Sequence, residues 1–380
     1  MNHQLVIPRG GRPAARLPAT EPGDPREFHR TLPGYRTTPL LRLPSIAERL
    51  RVAEVIIKDE SERLGLPAFK MLGASWATAR AVHREWMADD VPLRTEALRL
   101  ALSSGPRRRL VAATDGNHGR GVARMAALLG LACDIFMPEG TAASRIVDIE
   151  AEGATVTVVP GSYDDAIRVS AEEADDDTLI VSDTSWPGYT RTPTDVIQGY
   201  STMFREIDDA LGARPTHLAL QSGVGSFAAA GIAHYREQSA HRPFVVIVEP
   251  TEANCLMRSA QAGFITEAPG PHRSTMAGLN CGLPSALAWP VVYGGADAYV
   301  SVDDDYAHLA MRLLAENGVV SGESGSAGLA GFLATADTDD RSALNLDADS
   351  VVLLVNTEGA TDPVNYERQV GHPPTSTVRS

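Results

Sequence analysis

The sequence has few cysteines. Its 380 residues include three, Cys133, Cys255 and Cys281, and no two of them form a CxxC pair. A disulfide scaffold or a structural zinc site requires more thiols or closer spacing, so we predict neither, and we predict no metal site. We expect three buried or incidental thiols, with a local contact between Cys255 and Cys281 as the alternative.

Positive charge is also scarce. The chain has 34 Lys and Arg against 48 Asp and Glu, which gives a net charge of −14 and an isoelectric point near 5.2. Non-specific binding to nucleic acids or to anionic membranes requires a basic surface. We therefore expect no nucleic-acid partner and no membrane partner.

Long apolar runs are missing as well. No stretch approaches the roughly 18 apolar residues of a transmembrane helix, and residues 1–27, rich in Pro, Gly and Arg, have no apolar core of the signal-peptide kind. We expect a cytoplasmic protein whose residues 1–27 form a disordered or loose extension.

What the chain does contain is a regular alternation of strand and helix patterns. One series runs from Leu110 to Asp183, and a second runs from Asp195 towards the C-terminus. An arginine-bearing stretch at 88–109 separates the first series from the N-terminal part of the chain. Strands separated by single helices form right-handed βαβ units and parallel sheets. The pattern predicts an α/β protein with two domains of open parallel sheet, a large one (28–85 and 195–380) and a small one (86–194).

The segment KDESERLGLPAFKMLGAS, residues 58–75, places a lysine between a strand and a helix. The run 52–57 is apolar and β-branched, and a helical period begins at Gly73. Apolar neighbours and the helix dipole would lower the pKa of Lys70 below the usual value of ~10.4, and a neutral amine can form a Schiff base. The alternative is an ordinary solvated lysine at a helix start.

Three further segments follow predicted strands: TDGNHG (114–119), SGVGSF (222–227) and NTEGATDP (356–363). Ligands bind at the carboxyl ends of open parallel sheets, so we expect these loops to converge near Lys70. The first two precede helices, whose N-terminal N–H groups favour anions. Ordinary turns are the alternative, and SGVGSF matches neither a P-loop nor a full dinucleotide fingerprint.

Together these segments resemble the fold-type-II pyridoxal-phosphate enzymes, the superfamily of serine dehydratase and the tryptophan synthase β-subunit. KDES followed by GLPAFKMLGAS is most similar to the diaminopropionate ammonia-lyase subfamily, and similar blocks recur from about residue 28 to 370. The resemblance implies a tryptophan synthase β-like fold, pyridoxal 5'-phosphate as cofactor, a small amino acid as substrate and a homodimer.

The resemblance also implies roles for particular residues. Lys70 would bind the cofactor covalently, Asn117 would contact its phenolic oxygen and Thr357 its pyridine nitrogen. Its phosphate would be bound by Gly223, Val224, Gly225 and Ser226. Glu323, in SGESGSAG, would lie near the cofactor, although a carboxylate is also favoured at any helix N-terminus. A neutral Thr357 would make the ring a weaker electron sink, which suits elimination.

The substrate residues follow from the same resemblance. Its carboxylate would be held by the loop residues Thr114, Asp115, Gly116 and His118. Asp115 and Asp183 match acidic positions of the subfamily, where a desolvated second ammonium needs an ionic partner. Each is otherwise a plausible helix cap or loop aspartate.

The resemblance thus implies a carbon–nitrogen lyase that eliminates ammonia from D- and L-2,3-diaminopropionate, yielding pyruvate and two ammonia. Lys70 would be the base for the L isomer and Asp115 for the D isomer. One alternative is a serine or threonine dehydratase or a β-replacement enzyme of the same fold. Another is a non-catalytic cofactor-binding or regulatory protein, since fold does not determine function.

Overall fold

A computed structural model describes residues 1–10, 12–13, 15–114, 116–211, 214–237 and 242–375. The strands are β1 (His3–Val6), β2 (Leu40–Arg42), β3 (Glu54–Asp59), β4 (Arg109–Ala113), β5 (Ala132–Pro138), β6 (Thr155–Val159), β7 (Thr178–Ile180), β8 (His217–Gln221), β9 (Phe244–Pro250), β10 (Ala298–Val302) and β11 (Val351–Asn356). The helices are α1 (Pro25–His29), α2 (Pro44–Leu50), α3 (Lys70–Trp86), α4 (Thr95–Leu102), α5 (Asn117–Leu129), α6 (Ala143–Glu150), α7 (Tyr163–Ala171), α8 (Arg191–Ala210), α9 (Ser226–Glu237), α10 (Cys255–Ala262), α11 (Trp289–Gly295), α12 (Asp304–Glu316), α13 (Glu323–Thr335), α14 (Asp340–Ala343) and α15 (Pro363–Val370).

The chain separates into two compact units. The first unit comprises Met1–Leu17, Thr37–Glu62 and Met203–Ser380, and the second comprises Pro18–Arg36 and Arg63–Thr202. These bounds differ from the predicted domain bounds, because α3, expected with the large domain, packs on α5 in the second unit. The predicted division into folding domains stays a prediction.

The first unit contains a seven-stranded sheet in the order β1-β10-β9-β8-β11-β3-β2. The five inner strands are parallel, and the edge strands β1 and β2 pair antiparallel with their neighbours. The inner strands are apolar on both faces, as expected for strands covered by helices on both sides. The predicted α/β class with parallel sheets is confirmed.

The edge strand β1 lies within the segment 1–27, for which the sequence predicted a loose extension. Residues His3–Val6 pair with Val302–Tyr299 of β10, and Leu5 packs on the hydrophobic core of the first unit. A run of four residues is too short to show the alternation of apolar and polar residues that predicts a strand. Its structure depends on the unpaired edge that β10 offers, which local sequence does not reveal.

Helix α13 begins at Glu323, where the sequence offered a helix N-terminus as the alternative to a cofactor contact, but the length of the helix was not predicted. It is apolar on nearly all sides, and its small residues let it lie close to the sheet: a Cβ on Gly331 would be 2.7 Å from Val248 Cγ2. Without a polar face, it gave no amphipathic period to detect. At 13 residues α13 is too short to cross a membrane, and among the described residues no other helix is long and apolar enough to do so.

The second unit contains a four-stranded parallel sheet in the order β6-β5-β4-β7. Its strands and the intervening helices α5, α6 and α7 match the alternation predicted from Leu110 to Asp183. The stretch 88–109, predicted to be irregular or partly helical, contains α4.

Candidate active site

The predicted site residues fall into two groups, one in each unit. The second unit holds Lys70, Thr114, Gly116, Asn117, His118 and Asp183, and the first unit holds Gly223, Val224, Gly225, Ser226, Glu323 and Thr357. Asp115 lies outside the described residues.

Lys70 is the first residue of α3, three positions before the predicted helix start at Gly73. Its side chain is 18% exposed, and its Nζ lies 3.1 Å from Asp183 Oδ2. Two residues that are 113 positions apart in the chain thus form an ion pair. The sequence singled out both residues but could not show that they touch.

Asp183 is buried and receives a second hydrogen bond, from the Tyr163 hydroxyl to Oδ1 at 2.9 Å. Burial by itself would raise the pKa of the Asp183 carboxyl. The charges of Lys70 and His118 outweigh burial, and together with the hydrogen bonds from Lys70 and Tyr163 they hold the pKa of Asp183 well below its usual range. Asp183 is therefore a carboxylate at neutral pH. Tyr163 carried no sequence signal.

The backbone that leads into Asp183 is held on both sides. The Tyr189 hydroxyl donates to the Ile180 carbonyl at 2.7 Å and accepts from Ser182 N at 3.0 Å. His118 Nε2 donates to the Val181 carbonyl at 2.8 Å. These bonds fix the direction in which the Asp183 side chain leaves the backbone.

Thr114 has a structural function in the loop before α5. Its Oγ1 accepts hydrogen bonds from Gly116 N and Gly119 N, each at 3.0 Å. The N–H groups of Gly116 and Gly119, which we expected to be open to a substrate carboxylate, are therefore hydrogen-bonded to Thr114. A Cβ on Gly119 would lie 2.3 Å from Thr114 Cγ2, so the turn requires glycine there. Asn117 is the first residue of α5.

Helix α3 is approached closely by two neighbouring helices of the second unit near Lys70. A Cβ on Gly121 of α5 would lie 2.9 Å from Ala74 Cβ, and a Cβ on Gly199 of α8 would lie 2.6 Å from the Leu72 carbonyl oxygen. Real Cβ atoms do not approach other atoms so closely. The two glycines therefore determine where α3, and with it Lys70, lies in the second unit.

We expect Gly199→Ala to destabilise the protein by about 1–3 kcal/mol, the usual cost of overpacking, and to lower turnover by displacing α3. Thermal unfolding and kcat measure the two effects. Gly105→Ala is the control, since the nearest atom to its Cβ would be 3.6 Å away. A Gly199→Ala enzyme with unchanged kcat and stability would show that the α3 position tolerates this shift.

In the first unit, SGVGSF joins β8 to α9, which begins at Ser226. Gly225 has φ +99°, a conformation that other residues rarely adopt, and a Cβ on Gly223 would lie 2.8 Å from Cys281 Sγ. The glycines let the backbone turn tightly into the helix N-terminus. A tight glycine turn at a helix N-terminus is an arrangement that binds phosphate.

Cysteines flank this loop. Cys255 Sγ lies 3.7 Å from the Gly223 carbonyl oxygen. Cys281 Sγ lies in the direction in which a Cβ on Gly223 would point, 2.8 Å from the position of that atom. All three cysteines of the chain are buried thiols, and none forms a disulfide. This agrees with the prediction of buried thiols rather than a disulfide scaffold.

Thr357 follows β11, the neighbour of β8 in the sheet, so the ends of both strands meet. Gln221, the last residue of β8, donates from Nε2 to Thr357 Oγ1 at 3.1 Å. Gln221 was not among the predicted site residues, although a polar residue at the end of an apolar strand could have indicated a place in the site. Glu323 is the first residue of α13 and accepts a hydrogen bond from the Asn365 side-chain amide.

Comparison with known proteins identifies the family. A family model described as "Pyridoxal-phosphate dependent enzyme" matches residues 31–358. The chain belongs to this family. Diaminopropionate ammonia-lyase of Escherichia coli (strain K12), a relative within it, is 38% identical over 362 residues, which cover 91% of this chain and 90% of the relative.

Solved structures of pyridoxal-phosphate-dependent enzymes agree with this assignment. The holo diaminopropionate ammonia lyase from Escherichia coli aligns with a TM-score of 0.87 at 35% identity, covering 97% of this chain and 96% of that one. The same enzyme in complex with an aminoacrylate-PLP azomethine reaction intermediate aligns with a TM-score of 0.84 at 33% identity, covering 97% of each chain.

The residues present suit the family's cofactor. The glycine turn at the start of α9 can take a phosphate, Lys70 offers an amine, and the Thr357 hydroxyl lies at the carboxyl end of the sheet, where ligands of such folds bind.

Proposed function

We propose that this protein is a pyridoxal-phosphate-dependent ammonia-lyase that acts on 2,3-diaminopropionate in both its D and L forms. The reaction consumes one water and yields pyruvate and two ammonia. Support comes from a relative with this name at 38% identity over nine-tenths of the chain and from the residues around Lys70.

The observation that carries the choice of substrate is the ionised, buried Asp183 beside Lys70. A carboxylate removed from water needs a cationic partner, and here the partner is the Lys70 ammonium at 3.1 Å. If Lys70 were bound to the cofactor, it would no longer have a free ammonium to donate to Asp183. The β-ammonium of diaminopropionate supplies a replacement, whereas the hydroxyl of serine does not.

The residues of the two groups have the following proposed functions toward the cofactor. Lys70 binds the aldehyde carbon, Asn117 the phenolic oxygen and Thr357 the pyridine nitrogen, with Glu323 close by. The phosphate is bound by Gly223, Val224, Gly225 and Ser226. When bound, pyridoxal phosphate supplies a carbon that joins covalently to amines and a ring that takes up the electron pair left by the broken α C–H bond.

The remaining residues act on the substrate. Its carboxylate is held by the loop that contains Thr114, Asp115, Gly116 and His118, through N–H groups that Thr114 Oγ1 does not already use. Lys70 takes the α-proton of the L isomer and Asp115 that of the D isomer, while Asp183 holds the β-ammonium that leaves as ammonia. The released aminoacrylate hydrolyses to pyruvate and a second ammonia.

The test is to incubate the purified, cofactor-loaded protein with D- and L-diaminopropionate, D- and L-serine and threonine, and to measure the keto acid and ammonia formed. Diaminopropionate should give two ammonia per pyruvate and the highest kcat/KM. Serine would give one ammonia per pyruvate.

Other outcomes select the alternatives. Faster turnover of serine or threonine would make the protein a dehydratase. A new amino acid formed only when an external nucleophile is added would indicate β-replacement. Cofactor binding with no turnover of any member of the panel would indicate a non-catalytic protein.

Thr357→Asp tests the proposed contact with the pyridine nitrogen. An aspartate there favours the protonated, more electron-withdrawing ring, so racemisation should rise relative to elimination. The ratio of inverted substrate to pyruvate measures this, with Thr357→Ser as the hydroxyl-preserving control. An unchanged ratio in a Thr357→Asp enzyme that still binds cofactor would place Thr357 elsewhere.

We also propose a homodimer that works in the cytoplasm. The dimer follows from the family resemblance, and exposed apolar side chains of the first unit, Phe264 at 66% and Leu283 at 40%, give a surface for it. Cysteines without disulfides are typical of a reducing compartment. Light scattering after size exclusion would measure the mass, and a mass of one chain would contradict the dimer.

A further inference from the structure

Gln221 ends β8 with a side-chain amide that lies among four hydrogen-bond acceptors of the first unit. Its Nε2 is 2.8 Å from the Val355 carbonyl oxygen and 3.1 Å from the Gly325 carbonyl oxygen. The Ser324 carbonyl oxygen is 3.2 Å away, and the Thr357 hydroxyl oxygen is 3.1 Å away. Gln221 is 2% exposed, so bulk water does not compete for these bonds.

The acceptors dictate which way the amide points. Carbonyl oxygens only accept hydrogen bonds, so turning the amide over would place Gln221 Oε1 against three of them. In the observed orientation Oε1 is buried and has no hydrogen-bond partner within the described part of the chain. The site leaves this acceptor unsatisfied and keeps the N–H groups facing Thr357.

The direction of the Gln221–Thr357 bond follows. An amide nitrogen donates and does not accept, so Thr357 Oγ1 must be the acceptor. Gln221 is also the hydrogen-bond partner that the described residues provide for Thr357 Oγ1. The hydroxyl hydrogen of Thr357 is therefore available to a ligand.

We propose that Gln221 is a positioning residue that makes the Thr357 hydroxyl a hydrogen-bond donor towards the pyridine nitrogen of the cofactor. This rests on the proposed function, in which Thr357 contacts that nitrogen. An unprotonated nitrogen has a lone pair that accepts from the hydroxyl. A protonated nitrogen would instead donate to the second lone pair of Thr357 Oγ1 and leave the buried Thr357 hydrogen without an acceptor among the described residues, so the arrangement favours the unprotonated ring.

The preference bears on which reaction the enzyme performs. An unprotonated ring would withdraw electrons weakly, which suits a reaction in which a leaving group departs as the α-proton is lost better than one that needs a long-lived negative charge at the α-carbon. Gln221 would thus favour elimination over racemisation without touching substrate or cofactor. It would act only by determining whether the Thr357 hydroxyl donates or accepts a hydrogen bond.

The experiment uses holoenzyme loaded with ring-¹⁵N pyridoxal phosphate and compares wild type, Gln221→Met, Thr357→Val and the double variant. Methionine has nearly the length of glutamine but no donor, so Thr357 is free to turn and accept. In Gln221→Met the ring-nitrogen signal should move towards the protonated position, and the ratio of racemisation to elimination should rise. In a Thr357→Val background, Gln221→Met should cause no further shift of the nitrogen signal.

Gln221→Asn serves as a second variant if Gln221→Met does not fold, because it keeps an amide in the strand but withdraws it from Thr357 by one methylene. It should shift the nitrogen signal in the same direction. A signal unchanged in either folded, cofactor-bound variant overturns the proposal, and so does a protonated nitrogen in the wild type.

The assay of diaminopropionate turnover separates this proposal from the proposed function. A wild-type enzyme that releases pyruvate and two ammonia, with a nitrogen signal insensitive to Gln221, would overturn the Gln221 proposal alone. A wild type that binds cofactor, shows the Gln221-dependent nitrogen shift and fails to turn over diaminopropionate would overturn the substrate assignment alone.

Discussion

Lys70→Ala is expected to lower turnover of both diaminopropionate isomers by more than about 10³-fold, because it removes the amine that binds the cofactor and the base for the L isomer. The loaded wild type should absorb as a protein-bound imine of pyridoxal phosphate, and borohydride should fix the cofactor to Lys70. The sequence makes the peptide map simple, since the chain has two lysines, Lys58 and Lys70.

Lys58 is the internal control for this experiment. It is 1% exposed, and its Nζ lies 2.7 Å from Glu206 Oε2 and 2.8 Å from the Thr38 carbonyl oxygen. Lys58 is almost completely covered by protein, whereas the Lys70 side chain is 18% exposed, so the cofactor cannot reach Lys58 and its peptide should stay unlabelled. A borohydride-reduced cofactor found on Lys58 would end the assignment of Lys70.

Lys70→Arg separates the two functions of the Lys70 side chain. Arginine keeps a positive charge for Asp183 but cannot form the covalent link. We expect Lys70→Arg to be as inactive as Lys70→Ala yet more stable to heat, because the buried Asp183 carboxylate retains a partner. Equal stability of the two variants would mean that Asp183 does not depend on this charge.

The second large effect concerns the two substrate isomers. Asp115→Asn is expected to lower turnover of D-diaminopropionate by roughly 10²- to 10⁴-fold while sparing a clear fraction of turnover of the L isomer. Lys70 reaches one face of the substrate, so the isomer whose α-proton lies on the other face needs another base. The measurement is kcat/KM for each isomer.

Asp183→Asn provides the contrast. It removes a carboxylate that we assign to the β-ammonium, which both isomers carry, so both should lose affinity and turnover. Asp305→Asn, at an exposed position in the first turn of α12, is the control and should change neither. Equal loss for both isomers in Asp115→Asn would show that this carboxylate binds substrate rather than selecting the proton.

Local pattern was enough to predict the α/β class and the parallel strands, because buried parallel strands are continuous apolar runs and the helices between them are amphipathic. It failed for β1 and for the extent of α13. The first is ordered by pairing with β10, and the second is apolar on nearly all sides and gives no helical period. Each depends on surroundings that come from distant parts of the chain.

The sequence by itself determined which side chains we assign to the chemistry: a lysine at a helix start, a glycine turn before α9, and a hydroxyl instead of a carboxylate at Thr357. The tertiary structure decided how those groups are charged and oriented. Asp183 is ionised because folding brings Lys70 within 3.1 Å of it. In our proposal, Thr357 presents a hydrogen because three carbonyl oxygens from two separate segments turn the Gln221 amide towards it. Charge state and hydrogen-bond direction are set by neighbours in space, and neighbours in space are what a one-dimensional pattern does not contain.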